Sequence, residues 1–432
     1  MRLLLSLPAL SVVWLATSPV PPRGPRYERV FALKPKEGVF AYARISPDGK
    51  RLAYASQISA RPSAQRSWSV TAVDLTTQKT LFSDNGIDAY WSSDGNRVIY
   101  SGSSGVMIRN VATNAVGSYP EASGLGDYFS WAVRDGKDLI MTIQSNYYYL
   151  GKDGPVLPHT KVTTCDGIGT GERPLISHDG KHISTFVKGI LVVRPLDNCS
   201  DIVNTHIQGS KADFSWDGRY IAFHAVKSAG TGYEIRIVDL EKKTVRILPK
   251  LQGSALFPSW TKDGRLCFRY DGPDYRGFLM ASNVLDTPEA PLPTVTEALP
   301  DERRWEDIFP ETPPAKGLRL VMIWAPWSAH SLEAFTNLEA ARDLFAARGM
   351  QVDAVAAADP SSRESDIAGQ LDEFRVTIPR IALTQRHLAM TEARNQMPTL
   401  MLFRDGTLID RKLGAQSFET LRDWLANAAE KR

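Results

Sequence analysis

The chain has 432 residues, too many for one ordinary hydrophobic core, so two or three domains are expected. It is 43% hydrophobic and 23% charged, the balance of a globular protein rather than a disordered or fibrous one. A net charge of +3 over this length, with no dense Lys/Arg block, gives no electrostatic case for nucleic acid.

Met1-Arg2 followed by the apolar run Leu3 to Ala16 and then Thr17-Ser18-Pro19 has the form of a secretory signal peptide, assigned to residues 1–20. The run is shorter than the roughly 20 residues of a membrane-spanning helix, and no later segment is long and apolar enough to span. The mature chain is expected to be periplasmic or secreted, with no stable membrane span. A retained N-terminal anchor is the competing expectation.

An oxidising compartment gives the three cysteines meaning. Cys267 lies in the apolar run Leu266-Cys267-Phe268 and is expected as a buried thiol. Cys165 and Cys199 sit in turn-like surroundings, where a disulfide between them is possible but not demanded.

From residue 45 a short phrase returns: Ser46-Pro47-Asp48-Gly49, Trp91-Ser92-Ser93-Asp94-Gly95, Asp135-Gly136, Ser177-His178-Asp179-Gly180, Ser215-Trp216-Asp217-Gly218 and Thr261-Lys262-Asp263-Gly264. The six glycines are separated by 46, 41, 44, 38 and 46 residues, a period typical of propeller blades. Asp-Gly supplies the positive-φ positions of a hairpin turn, and an apolar strand follows each time. One such sheet cannot bury both faces, whereas six packed radially can. These phrases resemble the TolB-type propeller repeat, a relative of the WD-repeat blade. The third unit departs from the consensus most. Residues 26–44 are expected to supply the strand that completes the last blade, giving an all-β six-bladed propeller over residues 26–283. That resemblance implies binding through loops and a central channel. The chain has no G-x-S-x-G nucleophile turn of the hydrolases some such propellers carry.

Residues 284–316 contain Pro288, Pro291, Pro293, Pro300, Pro310, Pro313 and Pro314, and are expected to form a semi-extended linker. Trp305 and Phe309 are candidates to dock it onto one domain.

Over residues 317–432 hairpins give way to alternating strand and helix. Strands are expected over 317–323 and 351–358, helices over 332–348 and 361–374, a hairpin through Asp405-Gly406, and a final helix capped by Ser417. Trp324-Ala325-Pro326-Trp327, this element order, and Pro398 at a cis-proline position are together similar to the TlpA/ResA branch of the thioredoxin family. The resemblance implies an α/β thioredoxin-like domain following the propeller. In that family the positions of Ser328 and Ser331 hold the two cysteines of C-x-x-C.

Thiol–disulfide exchange needs an attacking thiolate and a second thiol for release. A serine hydroxyl stays protonated and forms no comparable intermediate. His330, two residues on, diverges from Ser328 on a helix, so it is read as an exposed spacer and Ser328 as the helix N-cap. No catalytic residue, cofactor or metal site is therefore assigned. What the resemblance leaves is an apolar groove from Trp327, Met397 and Pro398, which binds extended peptide without sulfur. Trp324 and Pro398 are expected in the packing, and Trp327 at the surface. The expected function is a non-catalytic, redox-inactive scaffold for a protein or peptide partner in the cell envelope. The alternative is a TlpA/ResA-like thiol–disulfide oxidoreductase whose cysteines have been replaced by Ser328 and Ser331.

Overall fold

The computed structural model describes residues 24–33, 40–57, 68–102, 105–119, 129–142, 146–151, 154–155, 160–161, 172–187, 190–200, 202–227, 232–249, 251–294, 304–326, 328–347, 352–360, 362, 364–384, 388 and 397–430. The expected signal peptide, Cys165 and Trp327 lie outside these residues. Among them, no helix is long and apolar enough to cross a membrane.

Each Asp-Gly phrase joins the first two strands of a separate antiparallel sheet, and there are six such sheets. Their first strands, Phe40–Ile45, Ile87–Trp91, Phe129–Arg134, Glu172–Ile176, Ser210–Phe214 and Ser254–Trp260, each meet the next, and the sixth meets the first. They form the inner ring of a six-bladed propeller. The strand Arg26–Ala32 pairs with Arg276–Ser282 as the fourth strand of blade 6, so the first strand of the chain completes the last blade. Phe31 then packs on Tyr54 of blade 1 and Phe278 of blade 6, ring centroids 5.7 and 6.4 Å apart.

The repeated phrase is a repeated hydrogen-bond unit. In blade 2 the Ser92 hydroxyl donates to Asp94 (2.5 Å), the Asn96 amide donates to the same carboxylate (3.0 Å), and the Gly95 amide donates to Ser92 O (2.8 Å). Blades 1, 4 and 5 repeat the hydroxyl-to-aspartate bond, and blade 6 makes it with Thr261. Blade 3 departs here as its sequence does. Arg134 pairs directly with Lys137, so Asp135 (φ 51°) and Gly136 (φ 72°) form a two-residue turn with both residues left-handed.

The stretch expected as a semi-extended linker is partly absorbed into the domains. Glu289–Pro291 pairs with Thr244–Ile247 as a fifth strand of blade 5. Trp305–Ile308 forms a short helix, and Trp305 is fully buried against Phe309 and Phe403, at centroid distances of 4.7 and 5.1 Å. Proline limits the backbone but does not stop an edge strand from forming, nor tryptophan from finding a pocket.

The C-terminal sheet has five strands in the order Arg380–Ile381, Val352–Ala358, Leu318–Trp324, Thr399–Arg404 and Thr407–Leu413. The first three are mutually parallel and the last two each run antiparallel to the preceding neighbour, so that, numbered along the domain, the order is third-second-first-fourth-fifth. The helices Ala329–Ala347 and Phe418–Glu430 pack together on one face through Leu332, Phe335, Leu338, Leu421 and Leu425. Ser417 caps the last helix, its hydroxyl accepting the Thr420 amide at 3.2 Å.

Candidate functional site

The strand Leu318–Trp324 is buried on both faces and delivers Trp324 and Ala325 to the end of the sheet, where the long helix begins at Ala329. The turn closes on itself: the Ser328 amide donates to Ala325 O and the Ser331 amide to Ser328 O, both at 3.0 Å. Ser331 is fully buried, and its Oγ accepts the Ala325 amide at 3.2 Å. Ser328 is 6% exposed, and its hydroxyl donates to Met397 O at 2.9 Å.

That last bond corrects one expectation. The Ser328 side chain is not spent on the helix N-terminus but reaches across to the Met397-Pro398 loop, 69 positions away in the chain. Proximity in the fold outweighs a local cap when the facing carbonyl is itself buried and needs a donor. The Met397–Pro398 bond is cis, Met397 and Pro398 are both buried, and Pro398 O accepts the Gly414 amide at 2.8 Å. Trp324 is in the core, ring to ring with Phe335 at 5.1 Å. Ser328, Ser331, Met397 and Pro398 are therefore brought together as expected.

His330 is half-buried rather than an exposed spacer. The Ser328 hydroxyl donates to a backbone carbonyl, Met397 O. Of the cysteines, Cys199 is disulfide-bonded, and Cys267 is a buried free thiol pushed up to about 12 by burial.

Sequence reasoning missed Asp359 beside this corner and the propeller residues Tyr233, Leu256 and Phe257 that approach it. Asp359 follows the strand Val352–Ala358, is fully buried, and ties itself to the corner by donating its amide to Trp324 O at 2.6 Å. Tyr233 of blade 5 is buried nearby, and its pKa is held well above the ordinary phenol range by burial first and the charge of Asp359 second. Leu256 and Phe257 of blade 6 lie in the same apolar cluster as Ile323, Ala325, Met397 and Met401. The Ala-Ala-Ala-Asp-Pro segment was a detectable signal, an isolated carboxylate ending an apolar strand, but nothing in it points to a tyrosine 126 positions earlier.

The propeller channel has its own buried network. Asp213 accepts the Tyr90 hydroxyl (3.1 Å) and the Trp260 amide (2.8 Å), and pairs with Arg44 (3.2 Å), whose guanidinium lies 5.0 Å from the Tyr90 ring centre. These residues come from blades 1, 2, 5 and 6, so the network ties inner strands on different sides of the ring to one another. Arg44, Asp88, Tyr90 and Lys211 line a small cavity above it. Among the described residues no group of three or more His, Cys, Asp or Glu is placed to hold a metal ion.

No family model matches this chain, and no curated protein matches it significantly. Solved structures with similar portions include hydrazine synthase of Kuenenia stuttgartiensis (16% identity, 55% of this chain and 75% of that one, TM-score 0.35). TolB of Acinetobacter baumannii is similar over 56% of this chain at 19% identity and a TM-score of 0.36, and only 63% of the TolB chain is spanned. StoA of Bacillus subtilis is similar over 26% of this chain and 85% of its own, at 18% identity and a TM-score of 0.23. The fold description rests on the strand pairings above, and these likenesses say nothing of activity.

Proposed function

We propose that this chain is an exported, non-catalytic binding or scaffold protein that joins a six-bladed propeller to a redox-silent thioredoxin-like domain. The observation that carries the reading is the state of the two serines. Both hydroxyl-bearing side chains are buried and committed to backbone groups of their own domain, so the corner is held together by hydrogen bonds where an oxidoreductase needs reactive sulfur. Export is supported by the form of residues 1–20 and by the disulfide at Cys199. The partner class is a protein or peptide of the cell envelope, since the net charge of +3 gives no electrostatic footprint for nucleic acid.

An insulin-reduction assay with dithiothreitol, set against thioredoxin, tests the reading. The chain is expected to show no turnover above the uncatalysed rate. Measurable turnover by the unaltered sequence overturns the proposal. The double variant Ser328→Cys, Ser331→Cys addresses the oxidoreductase alternative: a reversible disulfide and restored turnover would support replaced cysteines, and an inert variant would end that reading.

A further inference from the structure

The two domains are in contact at the corner itself. Four contacts define the surface. The buried Tyr233 ring lies in the apolar cluster of Ile323 and Val355. Leu256 and Phe257 enter the cluster of Ala325 and Met397. The Arg276 guanidinium pairs with Asp366 at 3.2 Å. Trp68 packs against the core on the other side of the C-terminal sheet.

These contacts come from one rim of the propeller. Trp68, Tyr233 and Arg276 begin the third strands of blades 1, 5 and 6, and Leu256-Phe257 lie early in the first strand of blade 6. First and third strands of an antiparallel blade run the same way, so their starts share a rim, opposite the Asp-Gly turns. Phe257 is built for this position. The inner strands of blades 2, 5 and 6 each bulge at one place, with Asp88, Lys211 and Phe257 at φ of 62°, 53° and 54°. Aspartate tolerates that conformation better than most residues, whereas a bulky phenylalanine is a genuine outlier there. It is held by its amide donating to His224 Nδ1 (3.3 Å) and by edge-to-face contact with the His224 ring at 5.5 Å. The same imidazole supports Tyr233 edge-to-face at 5.4 Å.

We infer that the rim of blades 5 and 6 is an autoinhibitory cover: Tyr233, Leu256 and Phe257 occupy, in cis, the side of the thioredoxin-like domain on which an extended peptide would meet the Met397-Pro398 loop. The groove is therefore closed while the domains are docked, and a peptide partner of that groove competes with the propeller. The inference goes beyond the scaffold reading and does not require the corner to be redox-silent. Its failure and the failure of that reading appear in different assays.

Thiol labelling of the full chain tests it. Ser328→Cys places one reporter at the corner, and Cys267, buried in the propeller, serves as an internal control that reacts only on unfolding. The labelling rate with 5,5′-dithiobis(2-nitrobenzoate) is measured for Ser328→Cys alone, with Tyr233→Ala plus Phe257→Ala added, and with Arg276→Glu added. Arg276→Glu opposes Asp366 with like charge, while Asp271, the other carboxylate at Arg276, keeps Arg269 as its partner. The reporter is expected to react slowly in the docked chain and at least tenfold faster in both undocking variants, with Cys267 protected throughout. If Tyr233→Ala plus Phe257→Ala exposes Cys267, the Arg276→Glu arm decides alone. A rate in Ser328→Cys that matches a free cysteine peptide, or one that undocking leaves unchanged, overturns the inference.

Discussion

Trp305→Ala removes the largest side chain of the segment that leads into the C-terminal domain. The indole is fully buried, packs on Phe309 and Phe403, donates its Nε1 hydrogen to Thr312 O, and lies under the Arg319 guanidinium at 4.8 Å. The Trp305 amide also donates to Gly406 O at 2.8 Å, beside the bridge between Arg304 and Thr407. Truncating a buried aromatic costs about 3–5 kcal/mol, and the orphaned Thr312 carbonyl and lost cation–π contact keep the expected value near the middle, about 4 kcal/mol. With a denaturant slope of about 2 kcal/mol/M in urea for a domain of this size, the midpoint should fall by about 2 M. Urea titration by near-UV circular dichroism measures it, with the propeller transition followed by protection of Cys267. The expected result is an early transition of the C-terminal domain while Cys267 stays protected. A loss under about 1 kcal/mol would refute the reasoning, because the segment would then be a tether and not part of the core.

Three further outcomes follow from the same structure. Asp48, Asp94, Asp179 and Asp263 all titrate below the ordinary carboxylate value, since hydrogen bonds from the adjacent hydroxyl and backbone amide outweigh the upward push of burial. Their folded pKa is depressed, so the stability they contribute is complete above the ordinary carboxylate range and is lost as pH falls through the lowered values, below about pH 4. Asp94→Asn should lower the melting temperature at pH 7 by about 2–4 °C, and its melting curve should converge with that of the parent near pH 2; parallel offsets at both pH values would contradict the turn's role. Native Cys267 should stay unmodified by thiol reagents at pH 8 and react fully in guanidinium, and rapid native reaction would show that the wall of blade 6 is open. Phe31→Ala should destabilise the propeller by about 3 kcal/mol, because the closing strand is anchored through Tyr54 and Phe278; an unchanged urea midpoint would mean the ring closes without it.

The local readings carried furthest where chemistry is short-range. Asp-Gly at a period in the forties specified six hairpins, and the one aberrant phrase, Asp135-Gly136, marked the one turn built differently. The alternation of strand and helix after residue 317 matched the observed order, and Ser328, Ser331, Met397 and Pro398 meet where the resemblance implied. Proline content did not announce the short strand Glu289–Pro291, because Pro291 sits on a sheet edge where no amide is needed.

What the residues alone determined was thus periodic or adjacent: turn chemistry, strand polarity, the closing role of residues 26–32, and the absence of sulfur at Ser328 and Ser331. Only the tertiary structure decided that the Ser328 hydroxyl crosses to Met397, that the Asp359 amide reaches Trp324 O, and that Phe257 of the propeller shares a core with Ala325. Such contacts join residues tens of positions apart. Their energies depend on shape and burial after both domains have formed, and no pattern within a single segment encodes them.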